Sequence, residues 1–314
     1  MIFGKGDFRY EWVENWEAHL DQFQVATVPG ICIDQHDRLY ILSRNMPPVI
    51  EMDINGQCLD HWGDDIYVRA HGIFLTSNGQ ILSADDGGHV VYCFDRAHNL
   101  VRTMGTKGQS SDTGTIGKKW QTIQRAAGPF NYPTNVAQAK NGDIYVSDGY
   151  GNARVHVFDP EGKLKFSWGE PGSEPGHFNL PHSLRFDADE ILYVCDRQNN
   201  RIQLFDKEGH FLDQWCCFQR PADLFVDDKN SLIYVAECKR SSVFDGEPSR
   251  VTILDKKGNI MARVGGSQPY DETTGSHHTA HGIAVDSEGS LYVAEVGKNY
   301  PSGYIGLKKY RRLP

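Results

Sequence analysis

A sixfold repeat of short apolar segments constrains the fold of this chain more than any other feature of its sequence. Each repeat has a short apolar stretch, a polar turn rich in Asp, Asn and Gly, and a second apolar stretch that ends near Ser, Asp or Glu. The six copies are VPGICIDQHDRLYILSR from 28, AHGIFLTSNGQILSADD from 70, YPTNVAQAKNGDIYVSDG from 132, LPHSLRFDADEILYVCDR from 180, RPADLFVDDKNSLIYVAE from 220 and AHGIAVDSEGSLYVAEV from 280.

Most repeats continue into a segment similar to RVHVFDPEGKLKFSWG (154–169), which predicts a third strand, an Asp-x-x-Gly turn and a fourth strand. Apolar and polar residues alternate in these segments, which is typical of strands and not of helices. Four strands in about 40 to 50 residues are the pattern of a β-propeller blade. The sequence therefore predicts an all-β, six-bladed β-propeller whose blades start near residues 25, 68, 130, 178, 218 and 278.

The two ends of the chain complement each other in this pattern. The last repeat ends in GYIGLKKYRRLP without a fourth strand, whereas residues 8–16, FRYEWVENW, have the sequence of one. Pairing this N-terminal strand with the last blade would close the ring and cover two exposed edges. We therefore expect residues 1–314 to form one domain. Insertions at 106–128, 239–249 and 267–278 are expected to be surface loops that rim the mouth of the channel.

Composition excludes several classes of partner. The net charge of -9 is mild and spread along the chain, which argues against nucleic acid or an anionic membrane as the main partner. No apolar run approaches the ~20 residues of a membrane span, and the first residues do not resemble a signal peptide. The seven cysteines contain no Cys-x-x-Cys pair, so we expect reduced thiols and a cytoplasmic protein.

One position before the first strand of each repeat alternates between histidine and other residues. Its occupants, in order, are Pro29, His71, Thr134, His182, Ala222 and His281. Alternate blades of a six-bladed ring lie about 120° apart and their inner strands line the channel, so three imidazoles would meet at one point. Three imidazoles with an open fourth position suit a divalent transition metal, most often a catalytic zinc ion.

Two alternatives remain open for this repeated position, which we call the histidine column. The histidines could hydrogen-bond to one another and to water without a metal ion. His277 and His278 lie close to His281 in the sequence and are rival ligands, although they precede the repeat.

A second column follows the second strand, near the same mouth of the channel. It contains Arg44, Asp86, Tyr150 and Arg197. Arg44 and Arg197 belong to opposite blades and suit a small carboxylate held from two sides. A tyrosine beside a metal dication can act as a base, because the positive charge favours the phenolate. In the structural alternative, the arginines pair with aspartates at the blade edges and the aspartates cap turns.

The blades resemble NHL repeats, most clearly in NLPHSLRFDADEILYVCDRQNNRIQLFDKEGHF (179–211). From about residue 25 to 300 the chain resembles the peptidyl-α-hydroxyglycine lyase domain of the peptidylglycine amidating enzymes. The resemblance implies one zinc ion per chain in the central channel, on histidines in the motifs AHG, PHS and AHG, which are His71, His182 and His281. It also implies catalytic roles for Tyr150, Arg44 and Arg197. The implied reaction splits an α-hydroxyglycine into an amide and glyoxylate, so the expected substrate is a small molecule or peptide with a carboxylate.

The chain departs from these lyases at identifiable positions. Gly282 stands where they carry an aspartate that serves a structural calcium ion, so the sequence does not predict calcium. Gly151 and Tyr193 replace the disulfide cysteines of the secreted lyases, and Thr279 replaces a methionine near the site. Two other functions remain open, a different metal-dependent hydrolase such as a lactonase, and a non-catalytic NHL scaffold that binds protein or RNA.

Overall fold

The computed structural model describes residues 1–23, 25–239, 248–266, 279–297 and 304–314. They belong to two compact units, residues 1–64 with 222–314 and residues 65–221. Regular structure in the described ranges consists of 25 strands and three short 3-10 helices, Ala18–Phe23, Trp120–Thr122 and Arg197–Asn199. The strands form six antiparallel sheets, one for each sequence repeat, which confirms the predicted all-β, six-bladed propeller. The assignment of residues 1–314 to a single domain stays a prediction.

The unit of residues 65–221 contains three sheets of four strands, each a simple meander. The first sheet consists of Ala70–Leu75, Ile81–Asp85, Val90–Phe94 and Leu100–Met104. The second consists of Pro133–Gln138, Ile144–Asp148, Arg154–Phe158 and Leu164–Trp168. The third consists of Pro181–Phe186, Leu192–Asp196, Arg201–Phe205 and Phe211–Trp215.

The unit of residues 1–64 and 222–314 also contains three sheets. One consists of Gly30–Ile33, Leu39–Leu42, Val49–Met52 and Cys58–Trp62, and another of Pro221–Asp227, Leu232–Glu237, Arg250–Asp255 and Ile260–Gly265. The last contains Ala280–Val285, Leu291–Glu295, Leu307–Arg312, Phe8–Trp12 and Ile2–Lys5. Phe8–Trp12 pairs antiparallel with Leu307–Arg312, which confirms the predicted N-terminal strand. The outermost strand, Ile2–Lys5, was not predicted.

Alternating apolar side chains form the core between the sheets of each unit. In the unit of residues 65–221, Val155 and Val157 of one sheet pack in the same cluster as Leu184, Val194 and Phe205 of the next. All five are at most 3% exposed. Burying each side chain of this size contributes about 1.5–3 kcal/mol, and this burial fixes which face of every strand points inward.

The histidine column, in which histidine alternates with other residues, coincides with a β-bulge in the first strand of four sheets. In four first strands the pairing register shifts at the column position and skips one residue, namely His71, Thr134, His182 and His281. Such a bulge leaves the extra residue outside the ladder and re-aims its side chain. The bulge therefore sets the direction of each of these side chains.

Two remaining predictions concern the chain outside the sheets. Among the described residues, no helix is long and apolar enough to cross a membrane, and the cytoplasmic location stays a prediction. The insertion at 106–128 is described, whereas 267–278, with His277 and His278, and most of 239–249 lie outside the described residues.

Candidate functional site

The unit of residues 65–221 brings His71 and His182 together. Each is the second residue of the first strand of its sheet, at the bulge, and each is only 2% exposed. Their ring centroids lie 4.9 Å apart, and the two rings have one nitrogen each within 4.8 Å of the other. Thr134 occupies the same position in the sheet between them. The alternation seen in the sequence therefore places two imidazoles face to edge across one intervening strand.

A carbonyl oxygen behind His71 determines its protonation pattern. The Nδ1 atom of His71 lies 2.7 Å from the carbonyl oxygen of Thr134. Because that oxygen can only accept, Nδ1 carries the proton and Nε2 of the neutral ring keeps its lone pair. The hydroxyl of Thr134 in turn donates to the carbonyl of Pro181, at 2.9 Å. A carbonyl acceptor behind the ring is the usual support of a metal-binding histidine.

The hydroxyl of Tyr150 lies between the two imidazoles. It is 3.2 Å from Nε2 of His71 and 3.1 Å from Nε2 of His182, and it accepts a hydrogen bond of 3.2 Å from Nη1 of Arg197. Tyr150 follows the strand Ile144–Asp148 through Gly149, where a Cβ atom would lie 2.1 Å from the carbonyl oxygen of Pro181. Glycine at this position allows the chain to pass close enough for the phenol to reach the histidines.

Arg197 is held by the turn that follows the strand Leu192–Asp196. Its backbone N–H donates to the carbonyl of Leu180 at 3.1 Å, and its side chain is buried. The preceding carboxylate, Asp196, accepts from the backbone of Asn179 and from Nε of Arg201, both at 2.7 Å. Burial raises the pKa of Asp196 to about 6, so the group is ionised at neutral pH. The side chain of Asp196 does not cap the 3-10 helix Arg197–Asn199 and pairs instead with Arg201, whereas Nη1 of Arg197 contacts Tyr150.

Lys118, which the sequence analysis did not single out, contributes a second cation to this group. Its Nζ atom lies 4.4 Å from the centroid of the Tyr150 ring and pairs with Asp86. Asp86 is fully buried, also pairs with Arg69, and has Oδ2 3.9 Å from Nε2 of His71. Lys118 belongs to the insertion 106–128, which lies outside the repeat, so no column could identify it. The only signal was the expectation that this insertion rims the site.

The other two predicted residues belong to the second unit. His281 is 3% exposed and occupies the bulge of Ala280–Val285, with Nδ1 2.7 Å from the carbonyl of Pro29. Pro29 is the column residue of the first repeat, so His281 repeats the arrangement of His71 and Thr134. Arg44 is half-buried after the strand Leu39–Leu42, and its N–H donates to the carbonyl of Thr27 at 3.1 Å. Their grouping with the residues of the other unit stays a prediction.

The donor set of this site fits a transition metal ion. Imidazole nitrogens suit zinc, copper, iron or nickel, whereas calcium takes oxygen ligands. Asp86 adds a buried carboxylate whose Oδ1 has no hydrogen-bond partner among the described residues.

Comparisons with known proteins agree with this architecture. Residues 128–294 match the family DUF5128, described as a 6-bladed beta-propeller. The human NHL repeat-containing protein 3 is 28% identical over 94% of this chain and 84% of its own length. A probable peptidyl-alpha-hydroxyglycine alpha-amidating lyase of Caenorhabditis elegans is 32% identical, over 47% of this chain and 39% of its own.

A gluconolactonase of Xanthomonas campestris resembles the chain in structure, with a TM-score of 0.64, 15% identity, and coverage of 98% of this chain and 91% of that protein. At this identity the likeness shows the fold alone. The family match, by contrast, spans more than half of the chain. The chain thus belongs to the DUF5128 family of six-bladed β-propellers and is homologous to NHL repeat-containing protein 3 and to the peptidyl-hydroxyglycine amidating lyases.

Proposed function

We propose that this protein is a zinc-dependent lyase that cleaves the C–N bond of an α-hydroxyglycine-like carbinolamide. The products are an amide and glyoxylate or a related carbonyl compound. The observation that carries the proposal is the hydroxyl of Tyr150, held between Nε2 of His71, Nε2 of His182 and the guanidinium of Arg197. Homology to the amidating lyases supports it.

The proposed metal ligands are His71, His182 and His281. His71 and His281 each have Nδ1 at 2.7 Å from the carbonyl of a residue at the same repeat position, so Nε2 is the nitrogen that we propose binds the ion. Bound there, zinc supplies Lewis-acid polarisation of the substrate hydroxyl.

The other side chains move the proton and hold the charge. Tyr150, as phenolate, takes the hydroxyl proton of the substrate and passes it to the departing amide nitrogen, while the C–O bond becomes a carbonyl and the C–N bond breaks. Arg197 lies at hydrogen-bond distance from the phenol oxygen and stabilises negative charge on it. Arg44 and Arg197 hold the carboxylate of a small-molecule or peptide substrate.

A non-catalytic NHL scaffold is the second candidate, favoured by the similarity to NHL repeat-containing protein 3 over most of the chain. Such a scaffold has no need of a half-buried phenol placed between two imidazoles and an arginine. Turnover of an α-hydroxyglycine substrate distinguishes the two functions, because only the lyase would cleave it.

The test is glyoxylate release from N-benzoyl-α-hydroxyglycine by the zinc-loaded protein. We expect release in the wild type and a loss of about 10²-fold or more in Tyr150→Phe. The matched control is Tyr92→Phe, which also loses one phenol hydrogen bond, to the carbonyl of Ile66, away from the histidines. It should retain the rate within about twofold. Absence of release from the wild type with any divalent metal ion, or equal rates in the two variants, would overturn the proposal.

A further inference from the structure

Lys118 reaches from the insertion 106–128 to two tyrosine rings, one of which belongs to the site. Its Nζ atom lies 4.4 Å from the centroid of the Tyr150 ring and 5.2 Å from the centroid of the Tyr132 ring. A cation at such a distance over an aromatic ring is attracted by the electron-rich face of the ring. The ammonium group therefore contacts the face of the Tyr150 ring, and this contact is additional to the hydrogen bonds at the phenol oxygen.

A buried carboxylate determines where this ammonium group lies. Oδ2 of Asp86 accepts from Nζ of Lys118 and from Nη1 of Arg69, and the side chain of Asp86 is fully buried. A carboxylate buried in this way is costly to leave without a cation, so the ion pair anchors the end of the lysine side chain. Lys118 thus joins the insertion to the sheet of Ile81–Asp85 by its charge and to the turn after Ile144–Asp148 by its contact with Tyr150.

The insertion also holds the backbone beside Tyr150. The hydroxyl of buried Thr113 donates to the carbonyl of Gly151, the residue after Tyr150, at 2.5 Å. The N–H of Gly151 donates to the carbonyl of Asn131 at 3.0 Å, and Nδ2 of Asn131 donates to the carbonyl of Ser111 at 2.9 Å. Because these bonds fix the backbone next to Tyr150, the main freedom left to this half-buried residue is rotation of its side chain.

We propose that Lys118 is a positioning residue, which holds the ring of Tyr150 in the orientation that places its hydroxyl between the two imidazoles. The distances from this hydroxyl to the two Nε2 atoms, 3.2 Å and 3.1 Å, are at the long end of the hydrogen-bond range, so a small rotation of the ring breaks one of the two bonds. The inference rests on the proposed function, in which Tyr150 moves the proton. Because Lys118 acts through Tyr150 and does not hold the substrate, its removal should lower kcat about 10- to 100-fold and leave KM within about twofold.

The first measurement needs no substrate. The full chain is labelled with 3-fluorotyrosine at its 14 tyrosines, and the ¹⁹F resonances of Tyr150 are assigned by their loss in Tyr150→Phe. The fluorine occupies either side of the ring, so a ring that is held gives two resonances in slow exchange, whereas a ring that flips freely gives one averaged resonance. We expect slow exchange in the wild type and faster exchange in Lys118→Met, which keeps the length of the side chain and removes its charge. Lys118→Arg, which keeps a cation over the ring, should restore slow exchange, and the control Lys119→Met, at an exposed position of the same insertion, should not change it.

The second measurement is glyoxylate release from N-benzoyl-α-hydroxyglycine, in which Lys118→Met should lose kcat and Lys118→Arg should recover most of it. A rise in KM at unchanged kcat would mean that Lys118 binds the substrate, and it would overturn the inference. Exchange of the Tyr150 fluorine that is no faster in Lys118→Met than in the wild type would overturn it as well. Faster exchange in a protein that releases no glyoxylate would support the positioning of Tyr150 by Lys118 and reject only the reaction.

Discussion

Gly72, the residue after His71, offers a quantitative test of how one sheet orients the histidine of the preceding one. A Cβ atom at this position would lie 2.5 Å from the carbonyl oxygen of Thr134 and 2.7 Å from Cα of Asn135. Both are backbone atoms, and ordinary contact distances are about 3.5 Å. In Gly72→Ala the two strands must therefore separate by about 1 Å. The bond from Nδ1 of His71 to Thr134, now 2.7 Å, would open to about 3.7 Å, beyond hydrogen-bond range.

Two consequences are expected from this separation. Overpacking of this size costs about 1–3 kcal/mol of the free energy of unfolding, or several degrees in Tm. Loss of the carbonyl support behind a metal-binding imidazole lowers metal affinity about 10- to 100-fold. Zinc affinity is measured by competition with a chromophoric chelator, and Tm by circular dichroism.

Gly282→Ala is the matched control, because Gly282 follows His281 in the same Ala-His-Gly motif. Its Cβ atom would meet Cβ of Ala294 at 3.1 Å and Cγ2 of Ile31 at 3.3 Å, so a shift of a few tenths of an ångström suffices. We expect a cost below about 1 kcal/mol and zinc affinity within about twofold of the wild type. Equal effects of the two substitutions on both quantities would refute the reasoning.

Three further substitutions, one of them a control, test the charges of the fold. Burial raises the pKa of Glu17 to about 7, so the folded state holds this proton more tightly than the unfolded chain and the contribution to stability falls as pH rises from about 4.5 to 7. Glu17→Gln should therefore raise the free energy of unfolding by up to about 3 kcal/mol at pH 8 and by about 1 kcal/mol at pH 5.5. The measurement is urea denaturation at the two pH values. An equal gain in stability at both pH values would contradict the raised pKa of Glu17. Asp86→Asn should cost about 1–2 kcal/mol, since its partners Lys118 and Arg69 are about a third exposed and can turn to water. The control Asp112→Asn breaks an exposed ion pair of the same insertion and should cost less than about 0.5 kcal/mol. Both costs are measured by thermal denaturation. A larger loss of stability in Asp112→Asn than in Asp86→Asn would contradict a stabilising role of the buried pair.

The strands could be predicted from the sequence because each repeat alternates apolar and polar residues with period two. The same reasoning found the N-terminal strand at residues 8–16, since the last repeat lacked a partner at its edge. It missed Ile2–Lys5, whose four residues carry no repeat register.

Sequence reasoning singled out His71, His182, Tyr150 and Arg197, which the structure brings together, but it did not give their geometry, and their functional roles stay a prediction. The column of histidines is visible in the sequence, whereas the bulge that re-aims His71 and His182 is not, because an extra residue in a strand leaves no mark in a single sequence. The ion pair between Lys118 and Asp86 joins an insertion to a repeat across 32 positions, and no periodicity connects them.

Metal content per chain tests the central claim most directly. Protein purified without added metal is analysed for its elements, beside His182→Ala and the control His210→Ala, whose side chain is 76% exposed on the surface. The account predicts about one zinc ion per chain in the wild type and in His210→Ala, and none in His182→Ala. A wild-type protein that holds no stoichiometric metal after reconstitution, or a His182→Ala variant that keeps its zinc, would contradict the three-histidine site.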